Sequence, residues 1–127
     1  MLKFDYILSA KGQVRYHTIW IIVECADGIV DYYHWWYLRQ YHVKLMKPKH
    51  GAHISIVRGE EEGIKPGLWK RNLDGPQVSF FYTPDMKWDD NYVWLDVWGS
   101  DLEKIRTAVG LSETPPFGFH LTVGRKS

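Results

Sequence analysis

Two short segments each present a histidine and a hydroxyl two residues apart: His53-Ile54-Ser55-Ile56-Val57 and Phe119-His120-Leu121-Thr122-Val123. In an extended strand successive side chains point to opposite faces, so His53 and Ser55 share one face while Ile54 and Ile56 take the other. His120 and Thr122 are set against Phe119, Leu121 and Val123 in the same way. Imidazole titrates near ~6.5, so one ring of a pair can be neutral and accept a proton while its partner is charged and donates one. Two such rings, with two hydroxyls to hold non-bridging oxygens, are the parts needed for acid–base chemistry on a phosphodiester without a metal or other cofactor.

The remaining candidates stand around these four. His50 lies three residues before His53 and Lys49 one further back, so both are candidate substrate-binding residues by proximity. Arg58 and Arg125 stand five residues after their respective histidines. Strict alternation puts an odd offset on the opposite face, so these two reach the site only if a bulge intervenes, and they are secondary candidates for phosphate contact. His17, His34 and His42 read as satisfied core or surface residues. A zinc site finds no support, because there is no cysteine cluster and no His-x-x-x-His spacing. Cys25 is the only cysteine, and its place after Ile21-Ile22-Val23-Glu24 suggests the end of a buried strand rather than a nucleophile.

The elements that must position these groups follow from the pattern of the chain. Leu2 to Leu8 and Val14 to Glu24 read as strands joined by a turn at Ala10-Lys11-Gly12. Asp27 is placed to cap a helix from Gly28 to about His42, with Ile29, Tyr33, Trp36, Tyr37 and Gln40 near helical spacing. Lys47-Pro48-Lys49-His50-Gly51 then breaks the helix and leads into the first histidine strand. The stretch from Gly59 to Pro76 reads as loop, Gln77 to Tyr82 and Asn91 to Trp98 as strands with a turn at Thr83-Pro84-Asp85. Ser100-Asp101-Leu102-Glu103 has capping-box spacing, and Leu102, Ile105, Arg106 and Val109 make a helical stripe that Gly110 ends. Pro115-Pro116 carries the chain into the second histidine strand.

Composition bounds what such a site can serve. The chain has 127 residues, 45% of them hydrophobic and 24% charged, which suits a single domain with its own core. No apolar run approaches the ~20 residues of a membrane span, and Met1-Leu2-Lys3-Phe4-Asp5 lacks the apolar region of a signal peptide, so a cytoplasmic protein is expected. A net charge of +1 argues against coating a long duplex or RNA track. Lys44, Lys47 and Lys49 precede His53 and Glu60-Glu61-Glu62 follows it, so local attraction for a small anion and plain solvated loop charge are both open. Seven Trp and eight Tyr exceed what one core needs, and some are candidate stacking platforms for bases.

Set side by side, Trp20-Ile21-Ile22-Val23 leads through an Asp-capped helix and a proline loop to His53-Ile54-Ser55, and Val93-Trp94-Leu95 through a Ser-capped helix and a proline loop to His120-Leu121-Thr122. On these residues the chain, from about Val14 to Lys126, resembles the 2H phosphoesterase superfamily, which carries two His-x-Ser/Thr motifs on the central strands of two lobes. The resemblance implies an α+β fold of residues 1–127 with two pseudo-symmetric lobes, roughly 14–59 and 77–126, of antiparallel strands around a central cleft with a helix outside each. It also implies His53 and His120 as the catalytic pair, Ser55 and Thr122 as phosphate-holding hydroxyls, and a metal-independent phosphodiesterase. Small size and minimal lobes are similar to the phage anti-CBASS enzymes that cleave cyclic oligonucleotide messengers, which would place the activity in a host cytoplasm. RNA-end processing through a 2′,3′-cyclic phosphate is the alternative substrate, and a non-catalytic nucleotide-binding or protein-interaction module the alternative class.

Overall fold

A computed structural model of the chain describes residues 7–16, 20–48, 51–58, 74–116 and 118–126. In chain order the described residues form β1 (Leu8–Tyr16), β2 (Trp20–Cys25), α1 (Asp27–Tyr41), β3 (His53–Arg58), β4 (Asp74–Tyr82), β5 (Lys87–Trp88), β6 (Tyr92–Trp98), α2 (Ser100–Ala108) and β7 (His120–Arg125). The fold is α+β. Its strands run in the order β4-β1-β2-β3-β7-β6-β5, and a further β4–β6 pairing closes six of them into a barrel with β5 added beside β6. Every pairing is antiparallel. The two halves therefore share one sheet, joined through β3 and β7. No helix among the described residues is long and apolar enough to cross a membrane.

Period-two alternation decides which way each strand faces. Along β6, Val93, Leu95 and Val97 are buried while Tyr92 and Trp98 are exposed and Trp94 and Asp96 half-buried. Val14, Val23, Ile54, Phe80 and Leu121 continue the buried face around the sheet. Full burial of each such side chain is worth about 1.5–3 kcal/mol, far more than a polar contact on the other face, so the apolar face sets the register. Both helices cover it, contributing Val30, Tyr33 and Tyr37 from α1 and Leu102 and Ile105 from α2 to one core. The histidine face is the opposite one and the more open of the two, with Glu24, Tyr92 and Trp98 exposed on it.

The duplication seen in the sequence is carried in the ladder itself. In the β2–β3 pair, Glu24, Val23, Ile22, Ile21 and Trp20 lie opposite His53, Ile54, Ser55, Val57 and Arg58. In the β6–β7 pair, Asp96, Leu95, Trp94, Val93 and Tyr92 lie opposite His120, Leu121, Thr122, Gly124 and Arg125. Both ladders skip one residue at the same place, Ile56 in β3 and Val123 in β7. The helices cross over: α1 packs on β7, and α2 on β3 and β4.

Several local expectations are corrected. Ala10-Lys11-Gly12 is not a turn but the middle of β1, where Gly12 pairs with Cys25 and a Cβ would come within 2.8 Å of the Glu24 carbonyl oxygen. Glycine is needed there for close approach rather than for a bend. Asp27 and Ser100 are the first helical residues instead of caps, with Ala26 and Gly99 before them. The first-turn carboxylates serve the sheet and its approaches: Asp27 Oδ1 accepts from the Ala52 N–H at 3.2 Å, and Asp101 Oδ2 from the Ser79 N–H at 2.9 Å. Gly75 and Pro76, read as loop, belong to β4, and the short β5 falls in a stretch read as irregular.

Candidate active site

Strands β3 and β7 meet at the ladder pair Ile54–Leu121. Counting outward antiparallel from that pair puts His53 across from Thr122 and Ser55 across from His120, with all four on the face opposite the two apolar residues. The histidines are thus diagonal neighbours, and diagonal positions on adjacent strands stand about 7–8 Å apart, which leaves room for a phosphate between the rings. The four line an open cavity of about 690 Å³. That volume is in the range of small-molecule sites. Lys87, Asp89, Tyr92, Trp94 and Asp96 form the wall on the β5–β6 side, and Arg58 lies on the β3 side.

Arg58 reaches the cavity because of the bulge in β3. Ile22 pairs with Ser55 but Ile21 with Val57, so Ile56 is extra, and the side-chain alternation restarts one residue late. Arg58 then faces the same way as His53 and Ser55. The equivalent bulge at Val123 turns Arg125 toward the face of His120 and Thr122, but Arg125 is exposed, contacts Met46 Sδ at 3.9 Å and lies outside the cavity lining. Of the two arginines, the structure brings one into the site.

Local backbone geometry orients His53. Gly51 adopts φ +74°, a left-handed conformation that favours glycine, and its carbonyl accepts from His53 Nδ1 at 2.9 Å. That bond fixes the tautomer and leaves Nε2 as the second ring nitrogen. His120 is half-buried beside Trp94, their rings 6.3 Å apart. Burial lowers its pKa from the ordinary imidazole value, the Arg58 cation and His53 add to this, and the Asp96 carboxylate opposes it. Asp96 is itself held by the Trp94 indole N–H at 3.2 Å and by an ion pair with Lys87. Asp89 accepts from the backbone N–H of Tyr92 and of Asn91, which keeps its carboxyl below the usual range.

The four motif residues and Arg58 are brought together, and Arg125 is placed at the margin. Lys49 and His50 lie outside the described residues, as do His17 and Glu60-Glu61-Glu62. Lys47 pairs with Asp31 at 3.0 Å, and Lys44 is exposed, neither of them lining the cavity. His34 bonds the Val123 carbonyl and so is satisfied, and Cys25 is buried at the end of β2 with its thiol pushed up to about 12, chiefly by burial. Sequence reasoning passed over Tyr92, Trp94 and Asp96 as site residues, although the alternation of β6 puts them on one face; Lys87 and Asp89 carried no signal. Among the described residues no three of His, Cys, Asp and Glu are grouped to hold a metal ion. No family model matches the chain, and no curated protein and no solved structure shows significant similarity to it.

Proposed function

We propose that the protein is a metal-independent phosphodiesterase of the 2H type that cleaves a cyclic oligonucleotide. The observation that carries this reading is the duplicated ladder, which gathers two histidines and two hydroxyls at the corners of one patch on a single face of the sheet. Ser55 and Thr122 hold the non-bridging oxygens of a phosphodiester between the rings. His120, whose lowered pKa favours the neutral ring, accepts the proton of the neighbouring 2′-hydroxyl as that oxygen bonds to phosphorus. His53, anchored through Nδ1, donates from Nε2 to the 5′-oxygen as its bond to phosphorus breaks. The products are a linear chain with a 2′,3′-cyclic phosphate at one end and a 5′-hydroxyl at the other. Tyr92 and Trp94 on the cavity wall offer faces for bases, which suits a compact ligand with its bases splayed outward.

The test is incubation with cyclic dinucleotides, cyclic trinucleotides and a 2′,3′-cyclic mononucleotide in EDTA, read by chromatography after denaturation. A ring-opened product is expected. Turnover of the mononucleotide alone assigns RNA-end processing instead. Quantitative return of intact ligand that had been protected from nucleases makes the chain a binding module and overturns the proposal.

A further inference from the structure

Each bulge that reshapes a histidine strand is gripped by a side chain from the other half of the molecule. Arg106 of α2 donates from Nη1 to the carbonyl of Ile56, the extra residue of β3, at 2.9 Å. His34 of α1 bonds through Nε2 to the carbonyl of Val123, the extra residue of β7, at 2.6 Å. A carbonyl takes no proton, so Nε2 is the donor. The grips match in position although the side chains differ. Arg106 is only 1% exposed and is anchored by Nε to the Ser112 carbonyl at 2.8 Å. A Cβ at position 124 would come within 2.9 Å of His34 Nε2 and 2.7 Å of the Met46 carbonyl oxygen, so a glycine follows this bulge to admit the imidazole.

We propose that Arg106 and His34 are reciprocal positioning residues, each holding the bulge of the other unit's histidine strand and so keeping Arg58 and Arg125 turned to the histidine face. A bulge leaves its extra residue out of the ladder, and a buried carbonyl without a donor costs about 1–3 kcal/mol. Without the donor from the helix the bulge loses the bond that anchors it, and the end of the strand, with its arginine, is no longer held to the histidine face. The inference rests on the histidine face being the reactive one, but its test does not need a substrate. Among the described residues, the charges facing His120 include Arg58 and His53 from β3 and Asp96 from β6, with Lys87 bound to Asp96 and Asp89 across the cavity. Moving Arg58 away therefore has a readable sign at His120.

The experiment is an NMR titration of His120 in the wild type, Arg58→Met, Arg106→Met and the double variant, each checked for folding by its thermal transition. Arg58→Met removes a cation that disfavours the charged ring, so the His120 midpoint rises, by about half a pH unit or more. Arg106→Met raises it in the same direction, and the double variant rises no further than Arg58→Met, because both remove one charge from one place. A folded Arg106→Met protein whose His120 midpoint stays at the wild-type value while Arg58→Met moves it overturns the proposal. Should Met at 106 prevent folding, the other grip decides: His34→Ala speeds amide exchange at Met46 and Arg125, whose N–H groups bond each other's carbonyls across this bulge. His34→Gln, which keeps a donor, restores the protection. Unaltered exchange in His34→Ala refutes the grip, whatever the cyclic-nucleotide panel shows about activity.

Discussion

At the scale of single residues, the site separates two histidines by environment. His53 is tied through Nδ1 to a backbone carbonyl, while His120 is pressed against Trp94 with a cation and a carboxylate pulling its titration in opposite directions. His53→Ala and His120→Ala should each lower turnover of the cyclic substrate by about 10²-fold or more, and the double variant should lose far less than the product, because the pair works as a unit. Retention of full activity by either variant removes that ring from the mechanism. The pH dependence has a definite sign. With His120 as proton acceptor, activity falls as pH drops through its lowered pKa, so the acid limb of kcat/KM should lie below the ordinary imidazole value. Asp96→Asn takes away the carboxylate that favours the charged ring and should move that limb to still lower pH. A limb that moves upward would assign the acceptor role elsewhere. Cys25 should be bystander chemistry: buried and with its thiol near 12, it should resist iodoacetamide in the folded protein, with activity retained.

At the scale of elements, what the sequence disclosed and what it hid divide along a physical line. The period-two pattern around His53 and His120 is local, and it placed both motifs on strands with their apolar partners inward. The bulges are not local. Ile56-Val57 and Val123-Gly124 read as uninterrupted strand, and only the partner register shows that one residue of each is extra, which is why Arg58 reached the site against the alternation rule. The same blindness made Gly12 look like a turn, since a glycine that gives positive φ and one that admits a neighbouring strand are written with the same letter. Gly12→Val should therefore damage the sheet rather than a loop. Its side chain meets Val23 and the Glu24 backbone, and overpacking of this kind costs about 1–3 kcal/mol, lowering Tm by roughly 5–10 °C in a chain of this size. An unchanged melting temperature would mean that β1 and β2 separate more easily than their register implies. Barrel closure was equally invisible, because it depends on Phe81 and Tyr82 of β4 meeting Trp98 and Val97 of β6 across two otherwise unrelated segments.

At the scale of the whole molecule, a nearly neutral chain carries its two histidines on one face of a closed six-stranded sheet, with its helices packed on the other face. A protein that neutralises six to ten phosphates along a nucleic acid loses about 10³–10⁵ in affinity between 50 and 200 mM salt. Here Arg58 lines the cavity, and Lys87 is engaged with Asp96. Raising salt over that interval should therefore lower kcat/KM for the cyclic substrate by less than about tenfold, and a steeper fall would indicate an extended phosphate track. The substrate itself decides which nucleophile is at hand. In a 3′,5′-linked ring the 2′-hydroxyl beside each phosphate arrives with the substrate and already lies next to phosphorus, so the site has only to align it between the two imidazoles. A ring with 2′-deoxyribose at the cut position should then bind with nearly unchanged affinity, measured by calorimetry, yet resist cleavage by about 10³-fold or more, since it keeps every group the cavity recognises and lacks the attacking oxygen. Rapid cleavage of the deoxy ring would transfer the attack to water, with His120 activating that water in place of the 2′-hydroxyl.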